Sequence, residues 1–399
     1  INAHFRLGSD QNAKSLTAVA LNEAIPISIR AEGLQLLGEW GDPSVRDKVT
    51  GLYRPVASRS KDASVNALKP HIGTLLNHSE TRIAESTASA LGRLQYQDSA
   101  AQLAAIVGDL SRSEGLRVEA LRALALIEAP QLAEAIAAIQ HDFNVRLRRE
   151  ATRIQASTDP LAAAPQLNAV LENGTIAEQQ TALSSLASIP GSVADEIILN
   201  WMKKWSNGEA PVEIGLDIVD AAEARQDARI VESLQKWREA LVETDPLGEQ
   251  KLLLNGGDPE LGRSIFQTHP AAACTRCHQL DGVGGDVGPR MDGLGSQQTS
   301  EYLLESIIAL NASIAEGFES ILVETKEGDY YAGVLKSEND QDIVINSPEE
   351  GLITVKVADV ISREKGLSGM PEGMEQLLSK QDLRNLIAFL MAQKEDVTY

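Results

Sequence analysis

Residues 117–127 read "RVEALRALALI". Apolar side chains recur at steps of three and four, the spacing of one helix face. The stretch returns in degenerate form at 147–157 ("LRREATRIQAS"), 177–189 ("AEQQTALSSLASI") and 212–222 ("VEIGLDIVDAA"). Alignment puts a small residue at Ala120, Ala151, Ala182 and Gly215, at intervals of 31, 31 and 33 residues. Upstream, "RIAESTASALGRL" puts Thr87 at that point and "IRAEGLQLLGEW" puts Gly33 there. Second apolar segments lie between copies, such as "AAQLAAIVGDL" and "QLAEAIAAI", and breakers such as "EWGDPS" and "ASTDP" punctuate them. Each unit is a helix pair of about 30 residues that cannot bury its apolar face alone, so the pairs are expected to stack into an α-solenoid over residues 1–245.

The pattern resembles HEAT repeats, which carry no invariant signature; an irregular helical bundle would show the same periodicity. Aromatics are only 4% of the chain, which favours close packing of small residues between helices. The formal net charge is −21. Such a surface repels nucleic acid and anionic lipid, so no nucleic-acid partner is expected. No run of 18 apolar residues occurs, so no membrane-spanning helix is expected. The sequence opens at Ile1 without a basic and apolar leader, as expected of a mature or excised product. The repeat region holds no nucleophile–base pair. His4, His71, His78 and His141 are scattered and read as surface or capping residues.

The character changes near residue 243. "ETDPLGEQKLLLNGGDP" has Pro and Gly at both ends, so residues 246–257 read as a linker and 258–399 as a second domain. Few contacts are expected across that linker, so a fragment from about residue 250 should fold alone. "PELGRSIF" is a short helix with Pro259 at its start. "TSEYLLESIIAL" is an amphipathic helix capped by Thr299 or Ser300. From 318 to 361 the period drops to two. "ESILVET", "YYAGVLK", "DIVIN" and "LITVKV" read as strands separated by turn-rich segments. A last helix, "SKQDLRNLIAFLMAQK", takes Ser379 as N-cap.

The only two cysteines of the chain fall in "CTRCH", residues 274–278. A bridge between Cys274 and Cys277 would close too short a loop to restrain the unfolded chain much. The pattern C-x-x-C-H reads as a c-type haem attachment site. Two thiols so spaced can each add to a haem vinyl group, which brings His278 under the iron as a ligand. Three other readings compete: a redox dithiol, which would need a βαβ context; a zinc site, for which His269 would be a fourth ligand; and an inert loop. The Gly-rich stretch that follows favours haem. Gly282, Gly284, Gly285 and Gly288 would let the main chain pass near a porphyrin. The helix before the site and the last helix could pack together and close the pocket.

This arrangement resembles the class I cytochrome c fold. "GPRMDGLG" is similar to that family's Gly-Pro-x-Leu loop, which implies that the Pro289 carbonyl accepts a hydrogen bond from the His278 ring. More narrowly, residues 258–394 resemble the haem-binding domain of planctomycete and verrucomicrobial secreted proteins through "GRSIF", "CTRCH", "GPRMDGLG", "YLLESII", "SIAEGF", "SGMPEGM" and "LRNLIAFL". In that family the domain often follows a HEAT-like region, itself often preceded by a β-propeller similar to sugar dehydrogenases. No propeller is expected within residues 1–399. The fold expected is thus mainly α: a HEAT-like solenoid, then a class I cytochrome c-like helical domain with a small inserted β-sheet unit.

A thioether opposite the histidine favours Fe(II). Of five methionines, Met202 lies in the repeats, Met291 takes the place of the family's loop leucine as pocket wall, and Met391 falls on the last helix. Met370 and Met374 remain, in "SGMPEGM". The family's distal ligand precedes a proline, and here Pro371 follows Met370, so the resemblance selects Met370. The strand segment accounts for the long separation from His278 and reads either as a lid or as a docking surface.

The function expected is a periplasmic or secreted electron carrier. One haem c, held by Cys274, Cys277, His278 and Met370, would serve a redox partner protein such as a sugar dehydrogenase-like module. The alternative is a haem enzyme or redox sensor with an open distal site, for which His269 and Arg290 are the nearby polar candidates.

Overall fold

The computed structural model describes residues 1–244, 247–312, 314–347, 350–370 and 373–394, without the side chains of 242–244. Of the regions named above, Pro246, Pro371 and residues 395–399 lie outside the described residues. The chain is mainly α-helical, with one antiparallel sheet near the C-terminus. It divides into two compact units, 1–197 and 198–399.

In the first unit, helices begin where the sequence supplies caps. The Ser113 hydroxyl accepts from Leu116 N, Asn144 from Leu147 N and Asp159 from Ala162 N, while Thr175 and Glu178 form a reciprocal capping box. Helices Ile27–Gly38, Thr81–Leu94, Glu114–Leu126, Val145–Thr158 and Ile176–Ser188 pack in sequence order, each on the next. Helix Ala100–Gly108 packs against Glu114–Leu126, and helix Pro160–Asn173 against Val145–Thr158 and Ile176–Ser188. This is a stack of helical repeats. The aligned small residues Gly33, Thr87, Ala120, Ala151 and Ala182 are all buried. Further small residues set the helix spacing: a Cβ on Gly38 would stand 2.8 Å from Ala90 Cα, and one on Gly92 2.8 Å from Ala123 Cα. Such close approach leaves no room for a larger side chain.

A second regularity ties the pairs together. Three residues before the small position, Arg30 Nε donates to Ala20 O (2.8 Å), Arg117 Nε to Val107 O (2.9 Å) and Gln179 Nε2 to Leu171 O (2.7 Å). Each acceptor is an otherwise open carbonyl in the last turn of the preceding helix. Arg117 also holds Asp142 in a buried ion pair at 2.5 Å.

The second unit begins before the expected boundary. Leu216, on helix Gly215–Glu223, belongs to the same apolar cluster as Leu253, Phe266, Leu304 and Phe389. Asp217 pairs with Arg384 at 2.6 Å, with side chains only 8% and 5% exposed, and Lys380 reaches Asp220 (3.1 Å) and Glu223 (3.0 Å). Buried apolar and charged partners thus cross the 246–257 segment, so the expectation of few contacts there is corrected. The copy around Gly215 closes its face on the C-terminal helix, a partner that periodicity cannot reveal.

Helix Pro259–Thr268, with Asp258 as N-cap and Pro259 in its first turn, crosses helix Lys380–Ala392. Gly262 makes the crossing close, since a Cβ there would meet Asn385 O at 2.0 Å. Phe266 and Phe389 stack at 5.6 Å beside it. Thr299 caps helix Ser300–Ile308, and Ser379 with Asp382 forms a capping box on the last helix.

The sheet comprises β1 (Ser320–Thr325), β2 (Tyr330–Glu338), β3 (Asp342–Ser347), β4 (Gly351–Lys356) and β5 (Val360–Lys365), in the order β4-β3-β2-β1-β5. Ile321, Val323, Ile343, Ile345 and Val355 form its core. The fifth strand, "VISREK", carries the sheet past residue 361. It lies at an edge and is mostly exposed, so it lacks the apolar alternation that marked the other four.

Candidate cofactor site at residues 274–289

After helix Pro259–Thr268 the chain makes a tight reversal. Ala273 takes a left-handed conformation, φ 44°, and Cys274–Arg276 form one turn of 3-10 helix. Cys277 N and His278 N both donate to Cys274 O, at 3.2 and 3.0 Å. The two thiols and the imidazole therefore leave a single compact turn. Both cysteines are free thiols, and burial pushes the Cys274 thiol pKa up, which keeps it protonated.

The Gly-rich segment folds back on this turn. Gly285 N donates to Thr275 O (3.0 Å), Gly288 N to Cys277 O (2.8 Å) and Met291 N to Gln279 O (2.9 Å). The glycines are explained by protein contacts. A Cβ on Gly284, where φ is +120°, would meet His278 O at 2.2 Å; one on Gly285 would meet Arg276 O at 2.1 Å. A Cβ on Gly288 would stand 2.6 Å from His278 Cε1. Gly282 (φ +76°) has open space around it and serves the turn alone.

This packing delivers the Pro289 carbonyl to the His278 ring, with Nδ1 and O 2.9 Å apart. A carbonyl only accepts, so Nδ1 carries the proton. Burial, opposed by the Pro289 bond, holds the His278 pKa below its usual value and favours the neutral ring. A neutral ring protonated at Nδ1 has its lone pair on Nε2, the form that binds a metal.

Cys274 and Met370, both half-buried, pack against the apolar cluster that includes Leu280, Met291, Leu303 and Met374. Met370 N donates to Ser368 Oγ (3.3 Å), and Ser368 N donates to Asn311 Oδ1 (2.8 Å), which fixes the loop before it. The Pro371 signal for Met370 falls outside the described residues. Met374, 4% exposed, is a core residue, and Met391 packs against the same cluster from the last helix.

The competing polar candidates have other work. His269 Nδ1 accepts from Ala272 N at 3.0 Å, which turns that ring into a local cap. Arg290 is exposed and faces Asp292 at 3.6 Å. Among the described residues there is no group of three or more His, Cys, Asp or Glu that could hold a metal ion. No helix of the described residues is long and apolar enough to cross a membrane. Sequence reasoning missed the contact of Gly288 with the His278 ring; the Gly-Pro pair ten and eleven residues after a candidate ligand was the available signal.

No family model and no curated protein matches the chain. Among solved structures, the chain is similar to the complex of CpcE and CpcF of phycocyanin lyase from Nostoc sp. PCC7120, with 17% identity and a TM-score of 0.33, over 58% of this chain and 83% of that one.

Proposed function

We propose that the chain is a c-type cytochrome that carries electrons and that residues 258–394 form a class I cytochrome c-like domain. The observation that carries this reading is the Nδ1–Pro289 hydrogen bond, which leaves a neutral imidazole with its Nε2 lone pair available beside two free thiols. The donor set fits haem c. Cys274 and Cys277 would hold it by thioether bonds, and His278 Nε2 and Met370 Sδ would be its protein ligands. Bound there, the haem iron supplies a one-electron Fe(III)/Fe(II) couple.

The residues around it have separable tasks. Pro289 holds the Nδ1 proton, which makes Nε2 a stronger donor and fixes the ring orientation. Gly288 lets the main chain lie against the ring. Met370, a soft thioether, would favour the ferrous state of a bound haem. The apolar cluster of Leu280, Met291, Leu303 and Ile307 excludes water from this side of the domain. With His278 and Met370 both proposed as ligands, the iron would have no protein-supplied open position, and the reading is a carrier. The helical repeats serve as scaffold. A redox partner protein, of the kind the family resemblance supplies as a sugar dehydrogenase-like module, would give or take the electron. Thioether attachment needs export-side assembly, so the proposed location is periplasmic or secreted.

The test is haem staining after denaturing electrophoresis. The wild-type chain, produced with a cytochrome c assembly system, retains stain; Cys274→Ala with Cys277→Ala loses it. Stain that survives the double change, or none on the wild type, overturns the reading.

A further inference from the structure

The sheet touches the 282–289 loop through Asp286. Asn346 Nδ2 on β3 donates to Asp286 Oδ1 at 3.3 Å, and Lys336 Nζ on β2 donates to Asp286 O at 3.3 Å. Lys336 also lies over the Phe318 ring, 5.3 Å from its centroid. Asn346 is 4% exposed. Its neighbour Ile345 fills the sheet core, and side chains alternate along a strand, so Asn346 projects from the opposite face. A buried amide is costly without a partner, and the partner it has is the carboxylate three residues before Pro289.

The loop needs such an anchor. Four of the seven residues from 282 to 288 are glycine, which adds conformational freedom where the Pro289 carbonyl must be held still. The geometry points to Asn346 as a positioning residue for His278: the sheet braces Asp286, and the braced loop sets the Pro289–His278 hydrogen bond and through it the donor strength of Nε2. This assigns the inserted sheet a role in tuning the site, and its consequence for reduction potential rests on the haem reading above.

The test uses the full chain. Asn346→Asp sets two carboxylates against each other and displaces the loop. A weaker Nδ1–Pro289 bond makes Nε2 a poorer donor to Fe(III), so the midpoint potential rises. The expected shift is at least threefold in the one-electron equilibrium, about 28 mV at 59 mV per tenfold. Combining Asn346→Asp with Asp286→Asn restores an amide–carboxylate pair and should return the potential. Ile343→Val weakens the sheet core without touching Asp286 and should leave it unchanged. An Asn346→Asp potential equal to wild type, no rescue by the swap, or an equal shift from Ile343→Val overturns the inference while haem staining stands. If the wild type carries no covalent haem, the proposed function fails instead. The 15N signal of His278 Nδ1 in the haem-free chain then decides the brace, and a signal unmoved by Asn346→Asp refutes it.

Discussion

Replacing Gly288 with alanine tests the proximal geometry without any cofactor. The backbone φ of Gly288 lies outside the left-handed region, so alanine is not penalised there by conformation. Its methyl would stand 2.6 Å from His278 Cε1 and 2.8 Å from Nδ1. To reach ordinary contact the ring must retreat by about 0.8 Å, enough to carry the 2.9 Å bond to Pro289 out of hydrogen-bonding range. Loss of that bond costs about 1 kcal/mol. Forcing a methyl into a filled space costs about 1–3 kcal/mol more. Gly288→Ala should therefore destabilise the second unit by about 2–4 kcal/mol. Urea unfolding followed by tryptophan fluorescence reads it, since Trp201, Trp205 and Trp237 all lie in that unit. The His278 Nδ1 15N signal should move as the bond breaks. Gly282→Ala provides the contrast: with φ +76° and open space it should cost about 1 kcal/mol from backbone strain and leave the imidazole signal alone. A Gly288→Ala chain as stable as wild type, with an unmoved imidazole signal, would refute the placement of the ring.

Other outcomes follow from the same geometry. A fragment from residue 250 should be insoluble or melt far below one from residue 198, because it lacks the helix Gly215–Glu223 and so opens to water the apolar cluster that Leu216 completes and the Arg384 that Asp217 pairs; circular dichroism melts compare the two. Met374→Ala empties a core position and should cost about 2–5 kcal/mol; under the proposed haem reading it should spare the absorption band of a methionine–iron bond. Met370→Ala should do the reverse, with a lower potential and readier carbon monoxide binding in the haem-loaded protein; a band lost only in Met374→Ala would reassign the ligand. The Asp142 pKa is lowered chiefly by the Arg117 hydrogen bond, so the stability it adds is present above its unfolded pKa and lost as pH falls through the folded one. Urea midpoints of the wild type should therefore drop on acidification through and below pH 3.8, and those of Asp142→Asn should drop less.

The helices were legible because their causes are local. Periodicity, the Ser, Thr, Asn and Asp caps, and the aligned small residues at Thr87, Ala120, Ala151 and Ala182 all act within a few turns of chain. "CTRCH" was visible as a motif for the same reason: spacing within one turn of chain groups its two thiols and its imidazole. The Pro289 contact was implied by a family resemblance, and the loop geometry accounts for it through Gly284, Gly285 and Gly288. What only the tertiary structure decided depends on distant partners. Asp217 meets Arg384 across 167 residues and moves the unit boundary. Asn346 meets Asp286 across 60 residues and links the sheet to the histidine loop. β5 shows little apolar alternation because water covers most of it, and pairing with β1 is what makes it a strand. Sequence periodicity reports which face of an element is buried; the element that covers that face is chosen by packing across the whole unit.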